Sequence, residues 1–251
     1  MKETAINAAK EAGKIIKENF RKEKEITFKD KIGNDLVTHV DLLCEKKIVS
    51  IIKKKFPDHN IISEETKFEK NSSEYTWIID PIDGTKNFAS EIPLFIVGIC
   101  LKKRDEIIMA VCYDPIHDEL FYAEKGKGAF LNNKKINVSQ KQLQNATVAL
   151  SWIKKDPISF YATLQREISI VINYRSCILH LCYIACGRID GCLINGLYLW
   201  DYAPFLLVKE AGGKVTKLDG SHFSLDSNNI LVTNGIIHND ILKIITQEDT
   251  L

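Results

Sequence analysis

The stretch Trp77-Ile78-Ile79-Asp80-Pro81-Ile82-Asp83-Gly84-Thr85-Lys86-Asn87-Phe88 constrains this chain more than any other. Trp77 to Ile79 is an apolar, largely β-branched run that reads as a buried strand, and Pro81 with Gly84 predicts that the strand ends at Asp80. Asp80 and Asp83 then stand at a strand's carboxyl end, either side of a proline. A tight turn of that spacing aims both carboxylates, with the Ile82 carbonyl between them, at one point. Anions crowded in this way repel unless a cation lies among them, and an oxygen-only donor set suits a hard ion, Mg²⁺ ahead of Zn²⁺. Past the turn, Gly84 and Thr85 are placed to open a helix whose free N–H groups face the same point, which suits a phosphate. The plainer alternative is an Asx turn capping a helix after a core strand.

The 251 residues can bury a large core near the upper size of a single domain. One domain with two lobes is expected, about 1–140 with a large antiparallel sheet and about 145–251 as an α/β unit. Thirty-four basic against 33 acidic residues leave the chain nearly neutral, so no global field draws it to nucleic acid or anionic lipid. No apolar run reaches membrane-spanning length, and the start reads as amphipathic rather than as a signal peptide; a cytoplasmic protein is expected. Seven cysteines, with Cys177, Cys182, Cys186 and Cys192 crowded together, fit neither a zinc ribbon nor a redox pair and read as buried thiols.

Ala5, Ile6, Ala9, Ala12, Gly13, Ile16 and Phe20 recur at helical spacing and predict an amphipathic helix over about 2–20. An extended piece near Ile26 to Phe28 and a turn at Gly33-Asn34 precede a second helix, marked by Val40, Leu43, Ile48, Ile51, Ile52 and Phe56 and stopped by Pro57. Ile61-Ile62-Ser63 reads as a strand end before a solvated pair, Glu64 and Glu65. Phe95 to Leu101, Ile107 to Tyr113, Leu120 to Ala123 and Gly128 to Leu131 read as strands joined by short turns, hence an antiparallel meander. Lys134 to Asn145 is polar and irregular, the expected boundary between lobes. From Thr147 onward strands and helices alternate, which argues α/β layering. Trp200 and Leu206 to Val208 mark a buried helix ended by Gly212-Gly213, with Asp201 as its N-cap.

The residues from Trp77 to Phe88 closely resemble the metal-binding signature of the inositol monophosphatase family, Mg²⁺-dependent, lithium-sensitive phosphomonoesterases. Trp200-Asp201 followed by Glu210-Ala211-Gly212-Gly213 resembles that family's second signature, in the correct order, and the resemblance covers nearly the whole chain. It implies a layered α/β fold, the αβαβα sandwich of inositol monophosphatases and sugar phosphatases, usually a homodimer, with the site between lobes. It implies metal ligands at Glu64, Asp80, the Ile82 carbonyl, Asp83 and Asp201 for two or three Mg²⁺, inhibition by Li⁺, and support from Glu65. Asp41, following Asp35-Leu36-Val37-Thr38, is implied to pair with Thr85 in polarising the attacking water, with Glu64 in the catalytic set. Asp83, Gly84, Thr85 and Asp201 are implied to face substrate, and Lys31 to sit on a loop that closes over the site. Read without the resemblance, Asp41 is a first-turn acid favoured by the helix dipole.

Two departures bear on substrate. Where the family commonly has a Gly-Ser/Thr-Ala-Ala turn after Arg-Ser, this chain has Arg175-Ser176-Cys177-Ile178-Leu179-His180. Where the family has a Glu that accepts from an inositol hydroxyl, this chain has Ile194, and an apolar side chain cannot replace that acceptor. His180 reads as a contact for a second phosphate or a base, or as a histidine with a local partner; Arg175 reads the same way or as a structural ion pair. The substrate is left open among sugar phosphates, a nucleotide 3′-phosphate, fructose bisphosphate or another alcohol phosphate. The alternative class is a regulatory or RNA-associated binding protein that keeps the fold.

Overall fold

The computed structural model describes residues 1–23, 25–28, 36–66, 71–151, 157–227 and 229–248. Helix α1 (Lys2–Asn19) buries an alanine-rich stripe, Ala5, Ala8, Ala9 and Ala12, which lets α2 (His39–Lys55) lie close against it. Between them β1 (Ile26–Phe28) and β2 (Leu36–Thr38) form a small antiparallel ladder. The Thr38 side chain caps α2 by accepting from the Val40 amide at 3.2 Å. Leu43, expected on the inner face of α2, is exposed; the buried stripe instead runs through Val40, Cys44, Ile48 and Ile52 at four-residue spacing.

Seven strands follow in spatial order: β3 (Asn60–Ser63), β4 (Tyr75–Asp83), β5 (Ile96–Lys103), β6 (Glu106–Asp114), β7 (Glu119–Glu124), β8 (Ala129–Leu131) and β9 (Lys134–Ile136). Among the described residues β3 and β4 pair parallel, and the remainder is the expected antiparallel meander. Helix α3 (Thr85–Ala89) interrupts it after β4. Part of the segment read as irregular is the edge strand β9, whose Lys134 and Lys135 gave no apolar alternation to reveal it.

Beyond it lie β10 (Thr147–Ser151), α4 (Pro157–Glu167), β11 (Ile170–Ile172), α5 (Cys177–Ala185), β12 (Gly191–Asn195), a 3₁₀ turn (Leu199–Tyr202), α6 (Ala203–Glu210), β13 (Lys214–Lys217), β14 (Asn229–Thr233) and α7 (His238–Glu248). The strands form a mixed five-stranded sheet in the order β11-β10-β12-β14-β13.

Among the described residues three apolar cores join five layers. Trp77, Ile79 and Val97 face α1 and α2. On the opposite face of the same sheet Ile78, Cys100 and Cys112 meet α5 and α6, which also cover Cys192, Ile194 and Val232 of the second sheet. That sheet's other face, with Val148, Leu193 and Leu231, packs on α4 and α7. The order helix, sheet, helix, sheet, helix is the αβαβα sandwich. Cys44, Cys100, Cys112, Cys182 and Cys192 are buried free thiols, whereas Cys177 and Cys186 are half-buried. No helix among the described residues is long and apolar enough to cross a membrane.

Candidate metal centre

Strand β4 does not stop at Asp80. It runs through Pro81 to Asp83, with Asp80 opposite Gly98 and Asp83 opposite Ile96. Three steps on β4 therefore match two on β5, so one extra residue bulges out, and a proline without an N–H is tolerated there. The bulge also settles side-chain direction. In a regular strand Asp80 and Asp83 would point to opposite faces; the inserted residue brings them to the same one. Gly98 clears the space beside them, since a Cβ there would lie 2.4 Å from Ile178 and 3.6 Å from the Cβ of Asp80.

Asp201 reaches the same point from the 3₁₀ turn ahead of α6, where one carboxylate oxygen accepts from the Tyr198 amide at 2.9 Å. It lies within that turn rather than at the N-cap of α6, because the chain tightens to 3₁₀ geometry before the helix proper starts. Asp80, Asp83 and Asp201 each offer an oxygen within 4.8 Å of the others. Asp83 is pinned by the start of α5: Ser176 Oγ donates to Oδ2 at 2.5 Å, the Ile178 amide to Oδ2 at 2.6 Å and the Cys177 amide to Oδ1 at 3.3 Å. Oδ1 is the oxygen left most open.

Glu64 follows β3, and its amide donates to the Ile79 carbonyl at 3.3 Å, beside Asp80. Its charge helps to raise the carboxyls of Asp41, Asp80, Asp83 and Asp201, although it lies outside the triad that comes within 4.8 Å. The Glu65 amide donates to Glu45 Oε2 at 2.9 Å, and Ser63 Oγ bonds the same oxygen. Buried Glu45 thus fixes the corner that presents Glu64.

Thr85 Oγ1 stands 2.9 Å from the Ile82 carbonyl and 3.3 Å from Asp41 Oδ1. One hydroxyl proton faces two acceptors, and the Ile82 oxygen keeps a second lone pair. Asp41 Oδ2 accepts from Thr38 Oγ1 at 2.5 Å and from the Thr38 amide at 2.9 Å. Lys31 lies outside the described residues.

Burial pushes the Asp41 carboxyl up to about 6 against the Thr38 bonds, and burial likewise pushes Asp83 to about 6 against its bonds from α5. Asp80 and Asp201 are raised further, first by burial and then by neighbouring carboxylates. Among the described residues no lysine or arginine is ion-paired to the triad. Oxygen donors that repel one another in a low-dielectric pocket fit a hard divalent cation.

A cavity of about 610 Å³ opens over Asp83, Gly84, Thr85 and Asp201 and is also lined by Arg175 and Ile194. His180 is buried in α5; its Nε2 accepts from the Tyr174 amide at 2.8 Å and its Nδ1 meets Ser151 Oγ at 3.1 Å. It has the local partners of the plainer reading, and burial holds it neutral, with its pKa lowered to about 4. Arg175 is exposed and makes no ion pair among the described residues, contrary to the structural-pair reading. Sequence reasoning gave no role to Ser176, Glu45 or Asn87. Ser176 had an N-cap signal before α5; the others bond across the chain and left no local mark.

Two stacked sheets with carboxylates gathered at a strand bulge between them define a layered α/β protein with an acidic, oxygen-donor pocket. The inositol monophosphatase family model matches residues 1–250, and the chain belongs to that family. Among its relatives, inositol monophosphatase 3 of Solanum lycopersicum is 40% identical over 262 residues, covering 98% of this chain and 96% of the relative. A Haemophilus influenzae protein named Nus factor SuhB is 38% identical over 248 residues, covering 95% of this chain and 93% of the relative. The solved structure of the Thermotoga maritima IMPase superposes with a TM-score of 0.92 at 31% identity, covering 98% of this chain and 96% of that one.

Proposed function

We propose that this protein is a Mg²⁺-dependent phosphomonoesterase acting on a small alcohol, sugar or nucleotide phosphate. The observation that carries the reading is the convergence of Asp80, Asp83 and Asp201 to within 4.8 Å with no cationic side chain paired to them among the described residues. Glu64, Asp80, Asp83, Asp201 and the Ile82 carbonyl are the ligands in this reading, and Glu65 supports Glu64. Bound Mg²⁺ supplies Lewis-acid charge and lowers the pKa of coordinated water. The chain's own residues position and move protons. Thr85 and Asp41 orient the attacking water, and Asp41, whose Oδ1 lies 3.3 Å from Thr85 Oγ1, accepts its proton. Gly84 and Thr85 hold the phosphate next to Asp83, and Ser176 with the α5 amides keeps Asp83 aimed.

A panel of sugar and nucleotide phosphates, assayed for phosphate release with and without Mg²⁺ and with Li⁺ as inhibitor, tests the reading. Turnover of at least one ester that requires Mg²⁺ and falls about a hundred-fold or more in Asp83→Asn, with the fold retained, supports it. Full Mg²⁺-dependent turnover in that variant contradicts it. A second reading, a regulatory or RNA-associated binding protein, is favoured by the relative named Nus factor SuhB. Release from no panel member, with tight RNA or polymerase binding, selects the second reading. A homodimer and a cytoplasmic location accompany the first reading as proposals.

A further inference from the structure

We infer that the hollow at the carboxyl end of α6, separate from the acid cluster, is a second binding site, and that it takes a flat aromatic monocarboxylate with Lys209 as its charged anchor.

This hollow, of about 720 Å³, lies among the start of β6, the turn after β7, the last turns of α6 and the segment 222–226. Its volume falls in the range of sites that enclose small ligands. No residue lines both it and the cavity over Asp83 and Asp201. Asp201 precedes α6, whereas Lys209 stands about 9 Å of helix rise beyond Ala203 at its start.

The floor is apolar. Phe205 and Phe223 stack with centroids 4.9 Å apart, flanked by Ile107, Leu206 and Leu225, and ring faces so disposed suit another ring. The walls are held on both sides. Glu210 accepts from the Gly126 and Gly128 amides at 2.7 and 2.8 Å, which joins the end of α6 to the turn after β7. Across the hollow, the Ser224 amide donates to Ser227 Oγ at 3.1 Å and the Ser227 amide to the Ser224 carbonyl at 3.0 Å. Tyr202 Oη donates to the Ser227 carbonyl at 2.9 Å and ties that segment back to the start of α6. With its walls already braced, the hollow asks little ordering of a ligand that enters.

Charge decides the occupant. Of the rim carboxylates, Glu210 is taken by the two amides, Glu106 pairs with Lys125, and Asp226 accepts from Ser224 Oγ. Asp105 stands fully in water, 3.9 Å from Lys102. Lys209 makes no ion pair or hydrogen bond among the described residues; its ammonium lies over the Phe223 ring, 4.9 Å from the centroid. The residue keeps solvent contact, yet loss of hydration beside the apolar floor lowers its pKa from the ordinary lysine value, while Glu106 draws it upward. A cation short of partners at the edge of an aromatic floor suits an anion attached to a ring. The surrounding acids oppose a dianion, so a single carboxylate fits where a phosphoryl group does not.

Calorimetric titration in chelator, which keeps a carboxylate from binding through metal at the acid cluster, tests this with 2-naphthoate, neutral 2-naphthamide and the cation 2-naphthylmethylammonium. Wild type is expected to bind one 2-naphthoate per chain, about five-fold tighter than the amide, the scale of one partly exposed charged contact. The cation is expected to bind weakest. Lys209→Met keeps an apolar stem over Phe223 and removes the charge at an exposed position, so an unchanged melting temperature should accompany it. The preference for acid over amide is expected to fall to about one in that variant. It should persist in Arg175→Gly, which alters the other cavity and suits φ +54°. No saturable binding of 2-naphthoate to wild type, equal affinity for acid and amide, or a preference that Lys209→Met leaves intact overturns the inference, as does a preference lost in Arg175→Gly. The readout is binding without metal, so it stands or falls separately from phosphate hydrolysis.

Discussion

Acid should unlock the turn that carries Arg175, and His180 is where it acts. The imidazole is fully enclosed; Nε2 accepts from the Tyr174 amide, so the proton of the neutral ring sits on Nδ1 and faces Ser151. Charging the ring would set two N–H donors nose to nose at 2.8 Å. Burial accordingly lowers its pKa from 6.5 to about 4. Because the folded value is below the unfolded one, stability is intact above about pH 6.5 and is lost as pH falls toward 4, where the unfolded chain takes up a proton that the fold refuses. The gap corresponds to about 3 kcal/mol in full, of which about 2 kcal/mol is lost by pH 5. His180→Gln keeps an acceptor for Tyr174 and a donor for Ser151 but does not titrate. Urea unfolding in chelator at pH 7.5 and pH 5 should show wild type losing about 2 kcal/mol more than the variant over that interval. Equal losses in the two proteins would refute the assignment of a neutral, load-carrying His180.

Other perturbations report on separate parts of the fold. Gly84→Ala should lower the melting temperature by several degrees and impair the site, because its φ is +94° and a Cβ would lie 2.7 Å from the Leu94 carbonyl; thermal scanning and phosphate release check both. Trp77→Ala should cost about 3–5 kcal/mol in urea unfolding, since the ring is fully buried against α1 and α2 and its indole N–H donates to His59 at 3.0 Å. Glu210→Ala should cost about 1–2 kcal/mol by the same assay, removing a carboxylate that accepts from the Gly126 and Gly128 amides at 2.7 and 2.8 Å.

The layered fold was legible because its periodicities are strong: the alanine stripe of α1, the short-turn meander and the alternation after Thr147 all correspond to observed elements. The exceptions share a cause. β2 and β9 are three-residue strands, too short to show an alternation of their own and defined by their partners. At the site, the acids were legible from spacing and family resemblance, but the device that aligns Asp80 with Asp83 was not. Pro81 reads locally as a stop, and only pairing with β5 turns that stop into a bulge. Asn87 to Tyr174, Ser176 to Asp83 and Glu45 to Ser63 are bonds between distant stretches, so nothing in any one segment announces them. Arg175 gave no sign of its left-handed backbone, which glycine or asparagine would have advertised.

Calorimetric titration of Mg²⁺ into metal-free protein at pH 7.5, for wild type and for Asp80→Asn, Asp83→Asn and Asp201→Asn, tests the centre itself. Saturable binding to wild type, weakened about ten-fold or more by each single substitution, is the expected result. Absence of binding to wild type, or affinity indifferent to all three substitutions, would mean that these carboxylates do not assemble a cation site.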